Sequence, residues 1–117
     1  MEKIVRQGLL YDFYGELLTE HQRQVYEAVV YENLSLAEIA AEQGISRQGV
    51  HDIVKRCDKM LLEYEEKLQL VAKFMKIQKQ VQEIVRISEV YEKNGSEDKL
   101  EYCRKVRQLS AEILEEL

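Results

Sequence analysis

Seven side chains between residues 46 and 59 have the types and spacing of a surface that contacts nucleic acid. An arginine and a glutamine stand at the start of a predicted helix, where they can pair with guanine and adenine edges, and later cations can hold phosphates. The candidate DNA-binding residues are Ser46, Arg47, Gln48, His51, Lys55, Arg56 and Lys59. Asp52 interrupts this surface, since its carboxylate can accept from a cytosine amine but weakens binding close to phosphates. Specific DNA reading and reuse of the helix pair as a scaffold or protein docking surface are therefore two open alternatives.

The charge of the chain is unevenly distributed. The net charge is -5, which argues weakly against a protein that simply coats nucleic acid. Residues 46–59 nevertheless hold four basic and two acidic side chains, a net charge of +2, and residues 67–82 hold four lysines and no acid. A second basic surface, able to meet RNA phosphates or an acidic protein, is therefore predicted. Its residues are Lys73, Lys76, Lys79 and Arg86. A solvated helix face that balances nearby glutamates is the alternative interpretation.

Residues that commonly perform catalysis are isolated in this sequence. His21 and His51 have no cysteine in helical register, and the chain has no glycine-rich phosphate loop. Cys57 and Cys103 lie on apolar stripes and are predicted to be small core residues. They are too few and too far apart for a disulfide framework or a four-ligand metal site. We therefore expect no enzymatic activity, no metal and no cofactor.

The elements that position these residues are predicted to be helices. The chain has no proline and only five glycines, and 45% of its residues are hydrophobic. Apolar residues at steps of three and four predict a first helix that ends near Leu18 and a second that ends at Asn33. Capping boxes are predicted at Thr19 and at Ser35, where a hydroxyl accepts from a free backbone donor of the following helix.

Residues 35–56 have the pattern of a helix-turn-helix. Ala40 is small where the second helix crosses the first, Gly44 permits the tight turn, and Ser46 caps the second helix. The apolar residues predicted to lock the pair are Ile39, Ile45, Val50 and Ile53. Gly49 lies inside the second helix, where glycine costs about 1 kcal/mol, and indicates either a close backbone approach or a tolerated defect.

From Cys57 onward, apolar residues alternate steps of four and three, as in helices that pack against other helices. Either one helix runs from Ser46 to about Lys93, or two helices meet at a bend within residues 61–70. The sequence KNGSED, from Lys93 to Asp98, is a predicted loop. A last helix then folds back antiparallel on the preceding one.

The predicted fold class is all-α, with a helix-turn-helix head in residues 1–60 and a C-terminal antiparallel helical hairpin in residues 61–117, together one architectural unit. A two-helix hairpin leaves two apolar stripes uncovered unless it packs on the head or on another copy. We therefore expect a homodimer through the hairpin, with completion of the monomer core as the alternative.

The sequence indicates neither export nor membrane insertion. Its N-terminal residues lack the apolar core and cleavage site of a signal peptide. No apolar run approaches the roughly 20 residues of a membrane span. We therefore expect a cytoplasmic protein without membrane insertion.

Two resemblances add to this interpretation. The sequence LLTEHQRQVYEAVVYENLSLAEIAAEQGISRQGVHDIVKR, from Leu17 to Arg56, resembles region 4 of bacterial sigma factors, whose helix-turn-helix reads a promoter element. Nearly the whole chain, with ISRQGVHDIVKR at its centre, more closely resembles the YlxM family of small bacterial proteins. The resemblances imply a sigma-factor-region-4-like head. Membership of the YlxM family implies a cytoplasmic regulatory or accessory protein of the signal recognition particle pathway, with the particle's RNA or GTPase subunit as partner. A sequence-specific DNA-binding transcriptional regulator is the alternative.

Overall fold

A computed structural model describes residues 2–94 and 99–117, and the regular elements in those ranges are helices. They are α1 (Lys3–Tyr14), α2 (Glu20–Val30), α3 (Leu36–Gln43), α4 (Arg47–Leu68), α5 (Leu70–Asn94) and α6 (Lys99–Glu116), with a 3₁₀ turn at Gly15–Leu17. The predicted all-α fold is confirmed for this part of the chain. The chain forms two compact units, residues 1–71 and 72–117.

The core of the first unit lies where α2 and α3 pack against α4. Val25, Ile39 and Val50 have no exposed surface, and Ala28 and Ala40 are nearly as buried. Burying one aliphatic side chain of this size contributes about 1.5–3 kcal/mol. α4 extends this core toward α1 with two further buried residues, Cys57 and Leu61. The first half of α4 is therefore held by three other helices.

The predicted helix caps are present. Thr19 and Ser35 each accept from the backbone N–H three residues later, completing both capping boxes. Gly44 ends α3 in the left-handed conformation with φ 67°, and Asn33 also has positive φ, 52°. The local chemistry of Thr19, Ser35 and Gly44 is enough to start α2 and α3 and to end α3.

α1 is shorter than the sequence predicted. It ends at Tyr14, and a 3₁₀ turn replaces the last predicted turn. The change occurs at Gly15, where an added Cβ would lie 2.8 Å from the ring of Tyr11. α2 likewise ends at Val30, three residues before Asn33. The early residues of α1 do not form a continuous buried face, because Ile4 and its neighbours are exposed while Leu10 and Tyr14 point inward.

The open choice between one long helix and two is decided in favour of two. α4 ends at Leu68, and Gln69 has the left-handed conformation with φ 57°. The first N–H groups of α5 find partners across this break: Leu70 donates to the Tyr14 hydroxyl at 3.1 Å, and Val71 donates to a Glu65 carboxylate oxygen at 3.0 Å. Tyr14 also donates to that carboxylate. α1 thus stabilises a helix break more than fifty residues away in sequence.

In the second unit, α5 and α6 pair antiparallel. Lys76 bonds Glu116 at 2.5 Å, Gln80 donates to Glu112 at 3.3 Å, and Ser88 lies 3.0 Å from the Tyr102 hydroxyl. Residue numbers rise along one helix as they fall along the other, which confirms the predicted hairpin. Residues 95–98 of the predicted KNGSED loop lie outside the described residues.

The prediction that both cysteines are core residues is half correct. Cys57 is fully buried, whereas Cys103 is exposed. On α6 the inward position is taken by the preceding residue, Tyr102, whose ring stacks on Tyr91 with centroids 4.5 Å apart. Cys103 lies one residue, about 100° of helix rotation, away from this contact and faces solvent.

Candidate nucleic-acid interface

The turn between α3 and α4 has the geometry of a helix-turn-helix. Gly44, Ile45 and Ser46 connect the two helices, and the N–H of Ile45 donates to the carbonyl of Ala40 at 3.1 Å. Ile45 packs against the buried cluster that contains Ile39 and Val50. Each residue predicted to build the turn therefore has the predicted place. The core holds α4 rigidly, with its opposite face in solvent.

Gly49 has a local explanation. Ser46 caps α4 by accepting from the N–H of Gly49 at 2.9 Å. A Cβ at residue 49 would lie 3.1 Å from the Ser46 hydroxyl oxygen, which is tighter than most real contacts. The glycine therefore leaves room for the cap of its own helix, and the close neighbour is a side chain rather than the backbone of another helix.

The exposed side of α4 carries all seven predicted contact residues, together with Asp52. This recognition face consists of Ser46, Arg47, Gln48, His51, Asp52, Lys55, Arg56 and Lys59. Among them, His51 is half-buried and the rest are exposed. The first turn of α4 contains no acidic residue, so the positive end of the helix dipole is not neutralised there.

The cations of the recognition face are available to a ligand. Within the described residues, none of Arg47, Lys55, Arg56 and Lys59 forms an ion pair with an acidic side chain. The neighbouring Asp58 faces α1 and α2 instead, accepting from Gln7 at 2.9 Å and from the Tyr26 hydroxyl at 2.5 Å. One of the two acids of residues 46–59 is therefore engaged in the core, away from the cations.

Asp52 is bonded within the face. The Gln48 side-chain amide donates to Asp52 Oδ1 at 2.9 Å, and His51 Nδ1 lies 3.8 Å from the same oxygen. Gln48 and Asp52 are one helical turn apart, so their side chains are neighbours on the surface. The two residues consequently present one connected polar group to any ligand of α4.

The second predicted basic surface lies on α5, and half of it is paired. Lys76 forms an ion pair with Glu116, and this hydrogen bond raises the lysine pKa. Arg86 donates to Glu83 through Nε at 2.9 Å, and the bond lowers the pKa of Glu83. Lys73 and Lys79 are exposed and form no ion pair within the described residues. The four predicted cations therefore do not act as one free basic surface.

Sequence reasoning missed a set of tyrosine–carboxylate hydrogen bonds that surrounds α1. The pairs, each with tyrosine as donor, are Tyr11 with Glu27, Tyr14 with Glu65, Tyr26 with Asp58, and Tyr31 with Asp12. Burial, and then these bonds, raise the pKa of all four tyrosines, in the case of Tyr31 to about 12. The sequence signal was the abundance of tyrosine, seven residues, in an acidic chain. Three of these bonds join α1 to α4 or to α2 and its C-cap residue, and the fourth joins α2 to α4. Together they help to hold α4, the helix that carries the recognition face.

Two classes of site are not seen in the described part of the chain. There, no three side chains of histidine, cysteine, aspartate or glutamate come together as a metal site. None of the described helices is long and apolar enough to cross a membrane.

Comparison with known proteins identifies the family. Residues 1–103 match the model of the family UPF0122, described as "Putative helix-turn-helix protein, YlxM / p13 like". The chain is 42% identical over 101 residues to a UPF0122 protein of Desulforamulus reducens, covering 86% of each chain. It is 46% identical over 99 residues to one of Clostridium botulinum, covering 85% of this chain and 89% of the relative. A relative from Halalkalibacterium halodurans is 42% identical over 100 residues, with 86% and 89% covered. The match over most of its length, together with the helix-turn-helix of α3 and α4, shows that the chain belongs to the UPF0122 family of YlxM / p13-like proteins.

Proposed function

We propose that this chain is a non-enzymatic regulatory protein that binds duplex DNA through the recognition face of α4. The observation that carries the proposal is the set of four unpaired cations on one exposed helix of a chain whose net charge is -5. These cations lie in a segment, residues 46–59, whose net charge is +2 within that acidic chain. Such a concentration of positive charge on one exposed helix face favours a negatively charged ligand.

The face offers both kinds of contact that a helix-turn-helix protein needs. Arg47 and Gln48 lie in the first turn of α4, the part of a recognition helix that meets base edges in the major groove. Lys55, Arg56 and Lys59 follow over the next three turns, where they can hold phosphates. Three such phosphate contacts predict that the logarithm of affinity falls with the logarithm of salt concentration with a slope of roughly 3.

Fluorescence anisotropy with a randomised pool of short duplexes, followed by selection and sequencing, tests this proposal. Arg47→Ala should lower affinity for the selected sequence by about tenfold. Lys79→Ala, which removes an exposed cation from α5, is the matched control and should change little. Equal, weak and merely salt-dependent binding to every duplex would exclude sequence reading. No binding at low salt by a folded protein would exclude the DNA function altogether.

A second candidate function is that of an accessory protein of the signal recognition particle, acting in the cytoplasm through the particle's RNA or GTPase subunit. It is supported by the likeness to the YlxM family and by Lys73 and Lys79, which are exposed and unpaired on α5. A pull-down from cytosol with and without nuclease separates DNA, RNA and protein partners. Intact co-purification after Lys73→Glu and Lys79→Glu would remove the α5 cations from this function.

We also propose that the protein is a homodimer joined through α5 and α6. The support is the exposure of large apolar side chains along both helices of the hairpin. They include Val81, Val85 and Leu114, which are 45%, 50% and 72% exposed. Light scattering over a range of concentrations tests this assembly, and a concentration-independent monomer mass would contradict it.

A further inference from the structure

A second group of unpaired cations lies at the start of α1. Residues 3–11 hold Lys3 and Arg6 and no acidic side chain, a net charge of +2. Both side chains are exposed, and within the described residues neither forms an ion pair. Of the eight lysine and arginine residues in the first unit, four lie on the recognition face and two are this pair. The positive charge of the first unit is therefore concentrated in two places.

Contacts between α1 and α4 place these two cations beside the recognition face. The Gln7 side-chain amide donates to Asp58 of α4 at 2.9 Å, which fixes this part of α1 against α4. Arg6 is the residue before Gln7, and Lys3 is one helical turn before it. Both cations line a cleft whose α4 wall contains Asp58 and Leu62.

The α4 wall of this cleft continues into the recognition face. Lys55 is three residues before Asp58 and Leu62 is four residues after it, so the three are neighbours on one side of α4. The carboxylate of Asp58 accepts from Gln7 and from the Tyr26 hydroxyl at 2.5 Å, and it forms no ion pair with the cations of α1. Lys55 and the cations of α1 therefore border the same side of α4.

A helix that enters the major groove has a phosphate strand on each side. The groove is about 12 Å wide, and a helix with its side chains is about 10–12 Å across, so the helix fills the groove. Side chains along the exposed centre of the helix meet base edges, whereas cations beside the helix meet the phosphates that border the groove. Lys3 and Arg6 have the second position relative to α4.

We propose that Lys3 and Arg6 bind phosphates of the DNA strand that runs alongside α4. The inference rests on the proposed DNA-binding function and adds α1 to the surface that contacts DNA. Because phosphate contacts carry no sequence information, the two cations contribute affinity and fix the position of α4 in the groove, without changing its base preference. Three phosphate contacts from α4 and two from α1 predict a salt slope of roughly 4 to 5, in place of roughly 3.

The test compares the salt slopes of the wild-type protein and two double variants on the same short duplex, measured by fluorescence anisotropy. Lys3→Ala combined with Arg6→Ala removes the proposed contact. Lys99→Ala combined with Arg107→Ala is the matched control, since it also removes one lysine and one arginine. Both of these α6 side chains are exposed, and within the described residues neither forms an ion pair. Circular dichroism shows whether each variant is folded.

The double variant of α1 should lower the salt slope by about 2 and weaken binding by roughly tenfold or more at low salt. Its base preference, measured by selection from a randomised pool, should remain that of the wild-type protein. The control should keep the wild-type slope. Duplexes with one neutral methylphosphonate each then locate the contact, because neutralising a phosphate held by α1 should weaken binding of the wild-type protein but not of the α1 variant.

Two results would overturn the inference while DNA binding through α4 stands. One is a salt slope of the α1 variant equal to that of the wild-type protein. The other is an equal loss of slope in the α6 control, which would assign the effect to net charge alone. If no folded protein in the set binds any duplex, both the proposed function and the inference fail.

Discussion

Both units of this chain consist of helices, but the packing that stabilises those helices differs between the units. In residues 1–71, seven large side chains are almost completely enclosed, and four helices share them. Among the described residues of 72–117, Ile87 is the one buried residue, with 8% of its surface exposed. The described helix α6 contains no buried residue. The first unit therefore has a hydrophobic core of its own. The hairpin has little core of its own, although its apolar residues follow a regular helical pattern.

The partners of the charged side chains also differ between the two units. The first unit leaves the cations of α4 unpaired and uses its carboxylates to accept from tyrosines, as Asp58 does from Tyr26. The hairpin places several of its cations in contact with acids, as in the pairs Lys76–Glu116 and Arg86–Glu83. A paired cation has less to offer a phosphate than a free one. The first unit thus carries the proposed ligand surface, whereas the hairpin exposes apolar side chains.

The largest expected difference between the units is in the loss of stability caused by the same substitution, leucine to alanine. Leu61 has no exposed surface, so Leu61→Ala should destabilise the protein by about 2–5 kcal/mol through lost burial and the cavity left behind. Leu114 is 72% exposed, and Leu114→Ala should change stability by about 0.5 kcal/mol or less. Urea unfolding followed by circular dichroism measures both.

The Leu114→Ala variant also tests whether the hairpin is uncovered in solution. A cost near that of Leu61→Ala would mean that Leu114 is covered in solution, as in the proposed dimer. The cost should then depend on protein concentration, because dissociation of two copies would be coupled to unfolding.

Sequence reasoning succeeded where the determinants are local. Thr19, Ser35 and Gly44 each act within four residues, through a hydroxyl that caps or a backbone that adopts positive φ, and their roles are visible in the sequence. It could not choose between one helix and two around Gln69, since glutamine is an ordinary helix former. That break depends on Tyr14, which reaches it only after folding brings α1 to the end of α4.

In the candidate site too, features with local determinants could be predicted from the sequence. The exposed residues of α4 could be listed from their spacing, because a capped helix with one buried stripe fixes the opposite face. The hydrogen-bond and ion-pair partners of each side chain could not be predicted. The bond from Gln48 to Asp52 is one rotamer choice among several, and the ion pair of Lys76 requires Glu116, forty residues away.

A second prediction concerns the polar bonds of the first unit. Tyr26→Phe removes the hydroxyl that donates to Asp58 at 2.5 Å and leaves that carboxylate with Gln7 as its remaining side-chain donor. We expect a loss of about 1–3 kcal/mol, since a partly buried carboxylate loses a hydrogen bond. Thermal unfolding measures it. Tyr91→Phe in α5 is the matched control, because it removes a tyrosine hydroxyl that makes no hydrogen bond within the described residues and keeps the ring that stacks on Tyr102. A loss of equal size there would contradict the assignment of the effect to the bond.

Alkaline pH should weaken the first unit in a predictable direction. Burial raises the pKa of Cys57 to about 11 from an ordinary 9.0, and burial with a bond to Asp12 raises that of Tyr31 to about 12 from 10.0. A group that holds its proton more tightly when folded contributes stability below its unfolded pKa and loses it as pH rises toward the folded value. Stability should therefore fall between about pH 9 and pH 12.

Urea unfolding at intervals from pH 8 to pH 11.5 measures this decline, and Tyr31→Phe supplies the control. Phenylalanine has no ionisable hydroxyl, so the variant should start less stable at pH 8 and lose less as the pH rises. A parallel decline in both proteins would show that the Tyr31 hydroxyl does not contribute to the pH dependence.

The smallest expected effect is that of the hairpin's ion pair. Lys76 and Glu116 have side chains 59% and 24% exposed, and solvent screens such a pair, so Lys76→Ala should lower the stability of the protein only slightly. A double-mutant cycle with Glu116→Ala, measured by thermal unfolding at low and high salt, isolates the pairwise contribution. A clearly measurable coupling that survives high salt would mean that the pair is shielded from water in solution. Since α5 and α6 alone do not shield it, that result would require another surface over this end of the hairpin. The contrast between a self-contained first unit and an uncovered hairpin would then no longer hold.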